Sequence, residues 1–156
     1  MITKKKVQRR RIQKLLDQFS GGSEFVTAPE GLPQETRQRI GRAVALNPDE
    51  DILLVGLTES ESWCALTSDR LAWLQDGQLQ ALKWIDVRAV QQPTSVSAKI
   101  IRGEMRKDAA SILEVIDSDE RYYRISVMPG HSYFLLWNAI LALCNHTRPI
   151  DPVVLE

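Results

Sequence analysis

The chain has 156 residues, 44% of them hydrophobic, and its 20 Lys plus Arg balance 20 Asp plus Glu. This composition is that of one globular domain large enough to bury a core, and it excludes a disordered chain, a collagen-like repeat and a disulfide scaffold. The charge is unevenly distributed, however. Residues 1–14 carry seven basic residues and no acid, while the remaining 13 basic and 20 acidic residues give −7. The sequence therefore predicts a basic arm in front of an acidic body.

The first predicted element is a helix over residues 3–19, ended by the Ser-Gly-Gly-Ser run at 20–23. Four residues at helical spacing form one apolar stripe on it: Ile12, Leu15, Leu16 and Phe19. Seven basic side chains accompany the stripe: Lys4, Lys5, Lys6, Arg9, Arg10, Arg11 and Lys14. We therefore expect residues 1–20 to form a basic amphipathic helical arm.

Such an arm has several candidate partners. Its charges suit the phosphates of an anionic membrane surface, on which the helix would lie flat, or those of nucleic acid, which we rank behind the membrane. Alternatively, the stripe packs on the body over the C-terminal helix and leaves the charges in solvent. In a further alternative, the arm docks on an acidic surface of the same or a neighbouring subunit.

A linker and a second helix are predicted over residues 21–49. Pro33 is placed like the first residue of a helix, and Glu35 in the first turn suits the helix dipole. Asn47-Pro48 ends the element. The first 49 residues are therefore predicted to be helical apart from this linker.

Short strands are predicted from residue 50 onwards. Asp76-Gly77 is a strong hairpin signal, because a type I′ turn needs positive φ at both central residues. A second hairpin is expected around Asp117 to Glu120. Pro93 breaks the sheet, and a weaker strand is expected after it. The predicted strands cover residues 52–57, 62–67, 70–75, 78–84, 87–92, 96–102, 112–116 and 122–128.

The last predicted element is a helix over residues 132–145 that is apolar around nearly its whole circumference. One stripe consists of Phe134, Trp137, Leu141 and Cys144, and a second consists of Leu136, Ile140 and Leu143. A helix that packs on a sheet needs only one apolar face. A second surface must therefore cover this helix, and the candidates are the N-terminal helices, a second subunit or a partner. Residues 149–156 are expected to form a tail.

Three segments resemble the pleckstrin-homology-like (PH-like) superfold, in its bacterial PH and GRAM-like variety. The first segment, Cys64 to Gln78, reads as a strand, a Thr-x-x-Arg-Leu turn, a second strand and a Gly turn. The second, Trp84 to Val90, has the pattern hydrophobic-x-Asp-hydrophobic, and the third is the helix of Phe134 to Ile140. The resemblance implies an α+β fold, a PH-like small β-barrel or sandwich of about seven antiparallel strands plugged by a C-terminal helix. Two N-terminal helices precede this domain, which we expect to span residues 50–148.

Members of this superfold bind phosphoinositides, peptides or protein partners, so the resemblance implies a binding role rather than catalysis. Phosphoinositide-binding members present basic residues in the first strand–strand loop, but here that loop, Thr58 to Ser62, holds Glu59 and Glu61. These carboxylates repel an inositol phosphate, and we therefore expect a protein or peptide partner. The rim at 95–107 and the groove beside the final helix are the predicted contact surface. Its candidate partner-binding residues are Lys99, Arg102, Arg106, Lys107 and Trp137.

Catalysis is not expected from this sequence. It holds no CxxC pair, HExxH, GxSxG or phosphate loop. His131 and His146 are separated by about 22 Å along an ideal helix, too far to share one metal. We predict no enzyme activity, no cofactor, no metal site and no small-molecule substrate.

The cellular location is predicted from the cysteines and the apolar segments. Cys64 and Cys144 lie in apolar runs and are expected to be buried free thiols in a reducing cytosol. The basic N-terminus lacks the apolar segment of a signal peptide. The most apolar stretch, Tyr133 to Cys144, has 12 residues, whereas a helix needs about 20 to span a bilayer. We expect a cytoplasmic protein, associated with the membrane if the arm binds lipid.

The sequence as a whole predicts a non-enzymatic protein-binding or adaptor module that forms a homodimer or part of a larger assembly. The two apolar faces of the last helix and the acidic first loop favour this hypothesis. The alternative is a peripheral membrane protein that attaches to anionic lipid through its basic N-terminal helix.

Overall fold

The computed structural model describes residues 4–19 and 22–147, with side chains as far as Cys144. Within these residues the fold is α+β, with four helices and eight strands. The helices are α1 (Lys4–Gln18), α2 (Gln34–Val44), α3 (Thr94–Ile101) and α4 (His131–Thr147). The strands are β1 (Val26–Thr27), β2 (Ile52–Leu57), β3 (Trp63–Thr67), β4 (Arg70–Gln75), β5 (Gln78–Lys83), β6 (Val87–Gln91), β7 (Ile112–Asp117) and β8 (Tyr122–Ser126). The predicted tail over 149–156 lies outside the described residues.

The strands form two antiparallel sheets, and the described residues contain no closed barrel. The first sheet has the order β1-β2-β3-β4-β5 and the second β6-β7-β8. β1 lies in the segment predicted as a linker, where Val26 pairs with Gly56 of β2. The two sheets meet where the Ser126 amide donates a hydrogen bond to Oε1 of Gln75, at 3.0 Å.

The prediction of a strand over residues 96–102 is wrong, because the helix α3 covers most of this segment. The Pro93 carbonyl accepts hydrogen bonds from the amides of Val96 and Ser97, both at 3.0 Å, and these bonds begin the helix. The β-branched side chains that favoured a strand are not fully buried. β-propensity depends on packing against neighbouring strands, and none of the described strands pairs with this segment.

The predicted turns are confirmed. Asp76 and Gly77, between β4 and β5, have φ values of 53° and 74°, as a type I′ turn requires. Glu120, in the turn before β8, has a φ of 63°. α2 ends at Ala45, which adopts a left-handed conformation shortly before Asn47-Pro48.

α4 lies at the centre of the main core. Leu136, Ile140 and Leu143 have no exposed surface, and the helix contacts α1, β6 and the short turn at 84–86. Gly56 permits a close approach to the first sheet, since a Cβ there would lie 3.3 Å from Cδ2 of Leu136. Sheet residues and the N-terminal helix therefore cover α4 together.

One face of α1 belongs to the same core. Ile12 and Leu16 are each 4% exposed and pack in the cluster around α4. Gln8, one turn earlier, is fully buried and donates from Nε2 to the Ser68 carbonyl at 2.9 Å. Residues four apart lie on one side of a helix, so a single face of α1 docks on the body. On the other side, α2 packs Ile40 against the first sheet in a second cluster.

A buried ion pair between Glu50 and Arg70 connects the end of α2 to the first sheet. The carboxylate of Glu50, whose side chain is fully buried, accepts hydrogen bonds from Nε and Nη2 of Arg70 at 2.9 and 3.0 Å. It also accepts from the Thr67 hydroxyl and the Asn47 amide. Burial by itself raises the pKa of the Glu50 carboxyl, but these hydrogen bonds and the Arg70 charge outweigh burial and lower that pKa below its ordinary value.

This ion pair predicts a pH-dependent stability. A carboxyl whose pKa is lower in the folded state stabilises the fold above its unfolded pKa, and this stabilisation is lost as the pH falls through the folded pKa. We expect Glu50→Gln to cost about 3 kcal/mol at neutral pH, because it leaves a partly buried guanidinium without its counter-charge. The variant should also lose less stability than wild type between neutral and acid pH. Urea unfolding between neutral and acid pH measures the free energy of unfolding of each variant, with the exposed Glu59→Gln as control. An equal loss of stability at acid pH in wild type and Glu50→Gln would show that the Glu50 carboxylate does not stabilise the fold.

The docking of α1 predicts that its buried side chains stabilise the whole fold. We expect Leu16→Ala to lower the free energy of unfolding by about 2–4 kcal/mol, since it removes a buried apolar side chain and leaves a cavity. The neighbouring exposed variant Arg11→Ala should change it by less than about 0.5 kcal/mol. Urea denaturation followed by circular dichroism measures both values. Unchanged unfolding of Leu16→Ala would show that α1 is not packed on the body.

Candidate functional site

A groove at the start of α4 combines an accessible aromatic ring with basic side chains. Two adjoining depressions, of about 600 and 540 Å³, are both lined by Asp108 and Phe134. The first is completed by Arg106 and Lys107, and the second by Phe19, Pro129, Gly130 and His131. We call these eight residues together the aromatic groove.

The loop after α3 positions the basic wall of the aromatic groove. It reverses at Gly103, which has a φ of 74°, continues through a short 3₁₀ helix at Lys107–Ala109 and is anchored by the buried Ala110. This conformation places Nζ of Lys107 5.7 Å from the centroid of the Phe134 ring. An ammonium over a ring face is attracted by the ring quadrupole, so Lys107 and Phe134 present a charge and an aromatic surface side by side.

The end of α1 forms the opposite wall. The ring of Phe19 contacts that of His131 edge to face, with centroids 6.2 Å apart. The hydroxyls of Ser23 and Ser132 lie within hydrogen-bond distance, at 2.6 Å, and join the two chain segments next to this contact. The aromatic groove is therefore assembled from three parts of the chain that are distant in sequence.

The predicted partner-binding residues are only partly brought together. Arg106 and Lys107 line the aromatic groove, and Arg106 also pairs with Asp108 at 3.2 Å. Arg102 pairs with Glu104 at 3.2 Å, and Lys99 is exposed on α3. Trp137 lies one turn beyond Phe134 on α4 and does not line the groove. Its buried indole N–H has no hydrogen-bond partner among the residues that the structure describes.

Sequence reasoning missed the aromatic part of this site. Phe134 was assigned only to an apolar stripe of the last helix, and Phe19 only to the stripe of the arm. The structure leaves Phe134 half buried on the edge of an otherwise covered helix. The surplus of apolar residues around α4 predicted a covering surface, and nothing in the sequence distinguished Phe134 as the ring that stays accessible.

The basic arm is held by polar contacts as well as by its stripe. Lys5 and Arg9 pair with Asp51 at 3.7 and 2.6 Å. The other predicted cations are exposed: Lys4, Lys6, Arg10, Arg11 and Lys14. Because Ile12 and Leu16 are buried in the core, the apolar stripe is not available to insert into lipid while α1 is docked.

No helix in the described part of the chain is both long and apolar enough to cross a membrane. In the first strand–strand loop, Glu59 and Glu61 are exposed as the sequence indicated. The two carboxylates of this loop repel an anionic ligand.

The two cysteines are buried free thiols, as predicted. Burial raises the pKa of the Cys64 thiol to about 12, so it remains protonated at neutral pH. Sγ of Cys144 donates to the Val87 carbonyl at 3.1 Å. Among the described side chains, no group of three or more His, Cys, Asp or Glu residues is placed to hold a metal ion.

Comparison with known protein families, with characterised proteins and with solved structures finds no match to this chain. The features that bear on function are therefore the chemistry of the aromatic groove and the charged surfaces. The lining of the groove can contribute aromatic stacking, apolar contact and ion pairing.

Proposed function

We propose that the protein is a non-enzymatic PH-like binding module whose aromatic groove takes a peptide segment of a partner protein. The order of elements supports the PH-like part of this proposal. A run of four consecutive antiparallel strands, β2 to β5, is followed by three, β6 to β8, and then by the apolar helix α4. The resemblance of residues 50–148 implies about seven antiparallel strands followed by a C-terminal helix, and this order agrees with it.

The observation that carries the binding role is the half-buried ring of Phe134 between two depressions, with Lys107 above it. Aromatic residues, Phe among them, are enriched at protein–protein interfaces, and a cation beside such a ring can pair with a carboxylate of the partner. An anchor side chain of the partner fills the apolar depression beside Phe19 and Phe134. A carboxylate of the partner lies next to Lys107.

The charge of the surrounding loop defines the partner further. Residues 99–108 hold four basic and two acidic side chains, and both acids are already paired, Glu104 with Arg102 and Asp108 with Arg106. The charges of Lys99 and Lys107 therefore remain for the partner. Ile101, which is 85% exposed, adds an apolar contact on the same segment. The occupant that fits is a peptide with a large apolar residue next to Asp or Glu.

The first test is selection of random phage-displayed peptides on the immobilised full chain. We expect the selected peptides to combine an aromatic or large aliphatic residue with neighbouring acids. Phe134→Ala and Lys107→Glu should each lower the affinity for a selected peptide by about tenfold or more, which is the effect of removing a central contact. Fluorescence anisotropy with the labelled peptide measures the affinity.

The matched control is Arg37→Glu, the same reversal of charge on the exposed face of α2. It should change the affinity less than about twofold, as expected of a remote exposed charge. Peptides that bind Phe134→Ala as tightly as wild type would contradict the proposal. If the occupant of the groove is a second copy of the chain, light scattering will give twice the 17.7 kDa mass of one chain, and Phe134→Ala will return it to the monomer.

A second proposal concerns the exposed cations of α1. Since the apolar stripe is buried, any attachment to an anionic membrane depends on charge alone, worth about 1 kcal/mol for each basic residue near the surface. We expect weak co-sedimentation with phosphatidylserine vesicles that is abolished by high salt and by the triple variant Arg10→Gln, Arg11→Gln, Lys14→Gln. Binding that resists both treatments would contradict a purely electrostatic contact.

A further inference from the structure

A second cavity, which shares no lining residue with the aromatic groove, collects cations from three parts of the chain. It has a volume of about 660 Å³ and lies between the first turn of α1, the segment after α2, the β3–β4 turn and the end of β5. We call it the cationic cavity. Its lining residues are Lys4, Asn47, Asp69, Arg70, Lys83, Trp84 and Ile85.

The guanidinium of Arg70 is fixed in place by the protein. Nε and Nη2 bind the buried Glu50, and Nη2 also donates to the carbonyls of Val44 and Ala45 at 2.8 and 3.1 Å. Nη1 is the one nitrogen of this group without a hydrogen-bond partner among the described residues. A guanidinium that is already oriented loses little entropy when its remaining N–H groups bind an anion.

Lys83, which is exposed, brings a second cation next to Arg70. It lies directly opposite Arg70 in the pairing of β4 with β5, and like charges in such a pair repel each other. Its neighbour Trp84 is 1% exposed and its indole N–H donates to the Thr67 carbonyl at 2.8 Å, which fixes the chain at this point. Within the described chain, no carboxylate lies within 4 Å of the ammonium of Lys83 or of Lys4.

The charges around the cavity define the ligand. The lining holds three cations and one carboxylate, and Glu50 behind it neutralises Arg70, so the net charge at the cavity is one positive unit. The donors come from three separate elements, which suits a group with several acceptor oxygens. At the rim, Ile85 is 64% exposed and offers an apolar contact beside the charges.

We propose that the cationic cavity binds the singly charged phosphate of a phosphodiester, with its oxygens accepting hydrogen bonds from Nη1 of Arg70 and from the ammonium groups of Lys4 and Lys83. The organic part of the ligand lies against Ile85. Two sources supply this chemistry, a free glycerophosphodiester and the headgroup of an anionic phospholipid. The proposal does not depend on the function assigned to the aromatic groove.

The test compares two probes that carry the same headgroup. Glycerophosphoglycerol is titrated into the ¹⁵N-labelled full chain and followed by NMR, and vesicles of phosphatidylcholine with and without phosphatidylglycerol are used in co-sedimentation. We expect Lys83→Gln and Lys4→Gln each to weaken the binding by about fivefold, the effect of losing one charge-assisted hydrogen bond. Asp69→Asn should instead strengthen it, because it removes the opposing charge. Lys107→Gln in the aromatic groove and Arg37→Gln on the exposed face of α2 are the matched controls.

The outcomes distinguish a free phosphodiester from a lipid headgroup and both from the absence of a site. Shifts caused by glycerophosphoglycerol at Lys83, Trp84 and Ile85, sensitive to Lys83→Gln and not to Lys107→Gln, support the site with a free phosphodiester as its source. Tighter binding to phosphatidylglycerol vesicles, weakened by both Lys83→Gln and Ile85→Ser, supports it with a lipid headgroup. Absence of both the shifts and the vesicle binding, or binding that responds to Arg10→Gln and not to the cavity variants, overturns it. Arg70 is left unchanged because its loss would also break the pair with Glu50.

Discussion

The contact on which much of this structure depends is the buried ion pair of Glu50 and Arg70. Taking two charges out of water is costly, and only a full set of hydrogen bonds offsets that cost. Here the carboxylate is satisfied on all sides, and the guanidinium also binds the last carbonyls of α2. Helix carbonyls at a C-terminus otherwise lack partners. One arginine therefore ends a helix, attaches it to the sheet and brings a fixed cation to the edge of the cationic cavity.

α1 connects the two candidate binding surfaces. Its first turn contributes Lys4 to the cationic cavity, and Phe19, just beyond its end, contributes to the aromatic groove. A helix of 15 residues spans about 22 Å, and the buried Ile12 and Leu16 fix its position between the two. The basic residues of α1 therefore do not lie on a segment that is separate from the folded body. The helix with most of the basic residues is part of the same core as α4, and its orientation sets the geometry of both surfaces.

The sequence predicted those elements whose patterns are local. Apolar spacing predicted α1 and α4, and Asp76-Gly77 predicted the β4–β5 hairpin. β1 was missed because two residues carry no periodicity, and α3 was mistaken for a strand because Val96 and Ile100 favour strands only where a neighbouring strand is present. The aromatic groove could not be predicted, since Phe19, Lys107 and Phe134 meet only after the chain has folded. Arg106 and Lys107 of the predicted basic cluster line the aromatic groove, but the pairs that Glu104 and Asp108 form within the cluster depend on the loop conformation.

The hydrogen bond between Ser23 and Ser132 joins residues 109 positions apart, and the packing of α1 on α4 spans a similar distance. During synthesis the N-terminal helix therefore emerges long before the helix that covers it. Contacts between such distant segments slow folding, because the long loop must close before they stabilise the chain. The wall of the aromatic groove beside the Ser23–Ser132 contact therefore forms only when segments 109 positions apart come together.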